Sequence, residues 1–174
     1  MIIMKEIYSH AIPLILTASI HATIAHRGQF RKGGDIPYIT HPLQVARVIA
    51  AETRYPTSPE LIAAAILHDV VEDTPENVDK FPEIVQQLVL LLSDLPGSHH
   101  DHRIAAIERI RNHPDAIMVK MADRYSNLIE ETDFNVTYRA KESVQKSTRA
   151  LLAVAKEAGL ENTDTYQCLL GVFP

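Results

Sequence analysis

Residues 61–74 read LIAAAILHDVVEDT, and the fold is decided there. Leu61 to Leu67 are apolar on every side, so a helix over them belongs inside a core rather than on a surface. The run then turns ionisable, with His68, Asp69, Glu72 and Asp73 arriving within six positions. At helical spacing Asp69, Glu72 and Asp73 stand at i, i+3 and i+4 and share one face, with His68 beside it. A core helix that ends in three carboxylates and an imidazole carries a heavy desolvation cost. A divalent metal is one compensation, a wet cleft is another, and a solvated helix end is the plain alternative.

Outward from this segment the chain reads as a succession of helices. A helix over about 3–27, broken or kinked near Pro13, precedes a loop from Arg27 to Ile39 that carries Gly28, Gly33, Gly34 and Pro37. Within that loop cluster Arg27, Gln29, Arg31 and Lys32. Thr40 or His41 opens the next helix, with Pro42 in its first turn. Ser58 is a fitting N-cap and Pro59 a fitting first residue for the central helix, which is expected to end near Asp73. Thr74 caps a short helix to about Phe81, and Pro82 opens another with Val85, Leu88, Val89 and Leu92 at helical spacing. A turn at Leu95–Ser98 leads to helices over about 101–112 and from Pro114 onward. A loop at Thr132–Asn135 leads to a helix over about 136–157 and a last one over about 162–170. No segment reads as a strand. The expectation is an all-α fold of about eight to ten helices packed around 61–74. With no repeat or linker, residues 1–174 are read as one domain.

Composition narrows the function. The net charge is −5 with Lys and Arg scattered, which is not the basic footprint of a nucleic-acid binder. The single cysteine, Cys168, excludes an internal disulfide and fits a reducing compartment; it reads as a small buried apolar residue. The apolar run AIPLILTASI is too short for a membrane span and leads into polar sequence without a cleavage site, so it reads as part of an amphipathic first helix. A cytoplasmic protein is expected.

Nine histidines are many for 174 residues. His41, at a helix start, His68 and Asp69 in the central helix, and Asp123 in the apolar setting VKMADR could converge on one ion. Such a mixed N/O set suits Mn, Fe(II), Zn or Co rather than an all-oxygen calcium cage. His21 and His26 read as polar helix positions. His99 and His102 read as solvated residues after a turn, and Arg124 as the partner of a nearby carboxylate.

The order and spacing of AHRGQFRKGG, PYITHPLQVA, AAAILHDVVEDT and VKMADRYSNL resemble the hydrolase domain of the RelA/SpoT family, whose metal site carries the His…HisAsp…Asp signature of HD-domain phosphohydrolases. The resemblance covers roughly residues 20–130, and the short chain is similar to stand-alone small alarmone hydrolases, metazoan SpoT homologues among them. It implies that His41, His68, Asp69 and Asp123 hold one divalent ion, usually manganese. It matches Glu72 and Asp73 to the acidic pair that handles the attacking water. Arg31 and Lys32 match the basic pair along the nucleotide base, and Asn127 an asparagine near the ribose and phosphates; Arg139 is a candidate for a later basic pocket residue. The implied activity is hydrolysis of the 3′-pyrophosphate of guanosine, or adenosine, tetra- and pentaphosphates. A nucleotide phosphomonoesterase and a non-catalytic nucleotide sensor on the same scaffold are the alternatives. The implied partner is a small nucleotide, without nucleic acid or membrane, and a homodimer is allowed. The loop departs from the family's usual RKDGxPY by reading RKGGDIPY, and Ser126 stands where the family has His or Tyr.

Overall fold

The computed structural model describes residues 2–93, 102–130 and 141–173, with side chains described from residue 10 in the first stretch and from 103 in the second. Helix α3 (Pro59–Leu67) is the axle. Ser58 accepts the Leu61 amide at 3.0 Å, and Pro59 fills the first turn, where an amide would have no partner. Leu61, Ala63, Ala64, Ala65, Ile66 and Leu67 are all buried. The three alanines keep the helix thin enough for neighbours to approach from several sides. Those neighbours are α1 (Ile2–Ala25), α2 (Thr40–Ala50), α5 (Glu83–Leu92) and α7 (Pro114–Ile129). Around α7 gather α6 (His102–Ile110), α8 (Glu142–Glu157) and α9 (Asp164–Val172). Helix α2 touches both α3 and α7 and so joins the two groups.

The all-α expectation holds among the described residues, where an isolated bridge between Phe30 and Pro37 is the sole β feature. Three boundaries differ from expectation. The central helix does not run unbroken to Asp73: α3 stops at Leu67, His68 and Asp69 form a turn, and α4 (Val70–Asp73) restarts the coil. The break lets adjacent His68 and Asp69 side chains turn toward the same point. The helix expected over 75–81 is absent. Thr74 Oγ1 accepts the Glu76 amide at 3.1 Å and Asn77 Oδ1 the Asp79 amide at 3.2 Å, so side-chain turns take the donors a helix would use. The helix expected from 136 begins at Glu142 among the described residues, and the turn expected at 95–98 lies outside them.

Polar clasps close the helix ends. Arg109 donates from Nε to the Leu91 carbonyl at 3.0 Å and from Nη2 to the Ser93 carbonyl at 2.7 Å, satisfying carbonyls that α5 leaves exposed. Glu52, buried after α2, accepts the amides of Asp164 at 3.0 Å and Thr165 at 2.8 Å, a carboxylate at the positive end of α9. Cys168, expected inside, is exposed on α9, whose buried positions are Thr165, Tyr166 and Leu169.

Candidate functional site

Each candidate ligand is placed by a different piece of local structure. His41 sits in the first turn of α2, where the chain enters the core after Pro37 and Tyr38. His68 and Asp69 occupy the break between α3 and α4, and Asp123 lies in the middle of α7. His41, His68 and Asp123 are buried.

Their ligand atoms converge. His41, His68 and Asp123 each offer one atom within 4.8 Å of the others. His41 Nε2 lies 3.1 Å from Asp123 Oδ1 and 3.6 Å from Asp69 Oδ2. His68 Nε2 lies 3.1 Å from Asp69 Oδ1 and 3.9 Å from Asp123 Oδ1. His68 Nδ1 donates to the Ala65 carbonyl at 2.8 Å, a bond that assigns its proton and leaves the Nε2 lone pair toward the carboxylates. Buried His68 Nε2 has no hydrogen-bond partner. An orphaned imidazole nitrogen facing two carboxylates fits a divalent cation, and the His/His/Asp cluster can coordinate one.

The electrostatics agree. Burial alone would raise the Asp69 and Asp123 carboxyls, yet both are held below the ordinary range. His68 and His41 do this at Asp69; Lys120 and the two histidines do it at Asp123. Burial opposes charge on His68, but Asp69 and Asp123 overcome it and push the imidazole up to about 9. The pocket thus holds its carboxylates charged and favours a positive species at Nε2.

His41, Asp69 and Asp123 line a cleft of about 630 Å³. Glu72 and Asp73, on α4, line its wall and are exposed. Arg31, Lys32, Arg103, Lys120 and Lys141 bring cations to the same cleft. Gly33, at a φ of 88°, turns the loop that carries Arg31 and Lys32, and Arg31 N donates to the Ile36 carbonyl at 2.8 Å across it. Arg139 lies outside the described residues.

Arg31 is held by its edge. It donates from Nη2 to Glu130 Oε2 at 2.7 Å and to Asn127 Oδ1 at 2.6 Å, and from Nε to the Glu130 carboxylate at 3.1 Å. Its guanidinium carbon stands 5.4 Å from the centre of the Tyr38 ring. Asn127 in turn donates to Asp123 Oδ1 at 2.6 Å, so one amide couples the basic loop to a ligand.

Tyr38 is the residue that sequence reasoning missed. Its hydroxyl lies 2.8 Å from Asp69 Oδ2 and 2.8 Å from Asp73 Oδ2, joining a ligand to a member of the acidic pair. Glu130 was missed as well. A tyrosine three positions before His41, in a polar loop, was the available signal for the first. Nothing local marked the second. Among the described residues Arg124 pairs with no carboxylate; it lines the cleft and donates to the Val144 carbonyl, Ser147 Oγ and Thr148 Oγ1 of α8. His21 and His26 are buried: His21 donates to the Asn77 carbonyl at 2.9 Å, and His26 lies against Tyr38 with centroids 4.7 Å apart.

The HD-domain family profile matches residues 18–158. The chain belongs to the HD-domain family. Related proteins place it on the RelA/SpoT branch of these hydrolases. The mouse guanosine-3′,5′-bis(diphosphate) 3′-pyrophosphohydrolase MESH1 is 32% identical over 163 residues, covering 86% of each chain. The human protein of that name is 35% identical over 127 residues, covering 66% of this HD-domain chain and 67% of its own. The Escherichia coli bifunctional (p)ppGpp synthase/hydrolase SpoT is 36% identical over 123 residues, which is 64% of this chain but 17% of that protein. The chain therefore spans about a sixth of the long bacterial relatives and most of the mouse one. A solved structure of a metazoan orthologue of SpoT superposes with a TM-score of 0.75 over 92% of this chain and 93% of that one, at 23% identity, and shares the fold.

Proposed function

We propose that residues 1–174 act as one catalytic unit that hydrolyses the 3′-pyrophosphate of guanosine or adenosine tetra- and pentaphosphates, releasing pyrophosphate and a nucleoside 5′-di- or triphosphate. The observation that carries this reading is the set of three atoms from His41, His68 and Asp123 beside a cleft lined by six Lys and Arg side chains. Carboxylates below and cations around suit a polyphosphate that brings its negative charge to a bound metal. The related 3′-pyrophosphohydrolases of mouse and human favour the 3′-pyrophosphate as the group removed.

The ion, manganese by family resemblance, would be held by His41, His68, Asp69 and Asp123; when bound it polarises a phosphoryl oxygen and lowers the pKa of a water. Glu72 and Asp73 stand within one turn of Asp69, where a carboxylate can take the proton of the attacking water. Tyr38 keeps Asp73 and Asp69 in fixed relation. Arg31, with its edge committed to Glu130 and Asn127, offers the plane of its guanidinium to a purine, and Lys32 lies beside it. Asn127 keeps that grip in register with Asp123, so that the 3′ arm meets the reactive centre; positioning of this kind supplies much of the barrier reduction. The proposed place of action is the cytoplasm.

The product decides the reading. Incubation of the protein with Mn²⁺ and either ppGpp or ppApp is expected to release inorganic pyrophosphate. Release of orthophosphate alone, with a nucleoside 3′-monophosphate as the better substrate, establishes a phosphomonoesterase instead. Bound metal without turnover of any nucleotide establishes a sensor.

A further inference from the structure

Helix α4 carries the acidic pair and is too short to hold itself. It is a single turn, closed by the Asp73 amide on the Asp69 carbonyl at 2.9 Å and the Thr74 amide on the Val70 carbonyl at 3.1 Å. One turn orders several residues for very few bonds and is unstable alone. The direction in which Glu72 and Asp73 point is therefore set by what grips this turn from outside.

The grip comes from residues 26–29. Gly28, at a φ of 79°, turns the chain after α1, and the Gln29 amide donates to the His26 carbonyl at 3.0 Å. The two side chains meet there, with His26 Nδ1 2.7 Å from Gln29 Oε1. From its other end Gln29 Nε2 donates to the Asp73 carbonyl at 2.9 Å, one of the acceptors that a helix end leaves over. A carbonyl only accepts, so Gln29 must turn its NH2 to Asp73 and its oxygen to His26, and His26 Nδ1 must carry the hydrogen. His26 is buried, and its Nε2 has no hydrogen-bond partner. A phenylalanine would fill the space against Tyr38 without that orphaned nitrogen, so what the imidazole adds is the Nδ1–H that orients Gln29. Tyr38 N donates to the Gln29 carbonyl at 2.9 Å, and the Tyr38 hydroxyl reaches Asp73 Oδ2. Asp73 is thus held twice, by its carbonyl and by its carboxylate, and both holds stand on His26.

We propose that Gln29 is a positioning residue for the hydrolysis and that His26 sets it. The Gln29 amide fixes the turn of α4 so that Glu72 and Asp73 face the attacking water. Although Gln29 lines the cleft, it acts through α4 and not by contact with the substrate. This role rests on the reading of Glu72 and Asp73 as the acidic pair.

Three variants test it. Gln29→Met is of similar length and makes neither hydrogen bond. With unchanged circular dichroism and metal content, its kcat for pyrophosphate release is expected to fall about three- to tenfold, the range of one neutral hydrogen bond. Its Michaelis constant is expected to stay within about twofold. Gln29→Glu still accepts from His26 but has no hydrogen for the Asp73 carbonyl, so it should lose at least as much in kcat. His26→Phe should lose less, since Gln29 keeps its bond to Asp73. A second readout needs no turnover: hydrogen exchange at the Asp73 and Thr74 amides should quicken in Gln29→Met, while the amides of Ala63, Ala64 and Ala65 in α3 keep their wild-type protection.

A wild-type kcat in Gln29→Met or Gln29→Glu overturns the proposal, as does unchanged exchange in α4. A loss of metal equal to the loss of rate overturns it too. A raised Michaelis constant at constant kcat replaces it with a direct substrate contact. A wild type that releases no pyrophosphate removes the reaction and this role together, whereas indifferent variants of an active wild type remove this role alone.

Discussion

Replacing Tyr38 by phenylalanine removes one oxygen and keeps the ring that Arg31 and His26 pack against. That oxygen is 2.8 Å from both Asp69 Oδ2 and Asp73 Oδ2. A phenol has one hydrogen, so the two short contacts are worth one charge-assisted bond, about 1.5–3 kcal/mol. If the bond serves to hold Asp73 in its working position, kcat falls about ten- to a hundredfold at about 1.4 kcal/mol per decade. The Michaelis constant stays within about twofold, because Arg31 keeps its bonds to Glu130 and Asn127. Burial, and after it Asp69 and Asp73, push the phenol far above its ordinary range, so Tyr38 stays a donor and adds no alkaline step to the wild-type pH profile. The assay is pyrophosphate release under saturating and limiting nucleotide, with metal content measured on the same samples. In an Asp73→Asn background the Tyr38→Phe effect should shrink, since the group it positions is already lost. An unchanged kcat, or a loss of metal equal to the loss of rate, refutes the positioning argument.

Two further outcomes follow from the same geometry. His68→Ala removes the orphaned nitrogen and should abolish both metal content and turnover; in the wild type, metal bound at a hundred times its dissociation constant raises stability by about 2.7 kcal/mol, so a chelator should lower Tm. Full occupancy in the variant, or a Tm indifferent to chelation, would show that the ion sits elsewhere. Glu72→Gln should keep its metal and lose about two to four orders of magnitude in rate, the scale of a general base; a near-normal rate removes Glu72 from that role and leaves Asp73.

The sequence made the all-α class legible because the apolar spacing of α2, α5 and α7 has no reading other than helix, and Ser58–Pro59 announces the start of α3 without ambiguity. The cluster of His41, His68 and Asp123 was legible in part from the apolar stretches around His68 and Asp123, and in the rest from the family resemblance that joins His41 to them. The break at His68–Asp69 was not, since an apolar run followed by acids looks the same whether the helix continues or restarts. The turn after Thr74 was hidden by a competition that propensity does not resolve, between backbone bonding and the side chains of Thr74 and Asn77. Tyr38 and Glu130 act across 31 and 99 residues of separation, on Asp69 and Arg31 respectively, and only the folded chain brings those pairs together. The amphipathic first helix expected from the sequence is instead apolar on its outer face as well, where Ile12, Leu16, Ile20 and Ile24 are exposed.

The grip of Glu52 on α9 also governs when the molecule can come into being. Its carboxylate waits for amides that lie 112 and 113 residues further along the chain. Closing a loop of that length costs on the order of 4 kcal/mol in chain entropy, so the contact forms late, after nearer partners have assembled. Until then the buried carboxylate has only the nearby Arg54 amide, at 2.9 Å, and α7, which carries Asp123, lacks the helix that packs on it. During synthesis on a ribosome the early helices can gather around α3, but the cluster of ligands gains its final brace only when residues 164–172 have emerged.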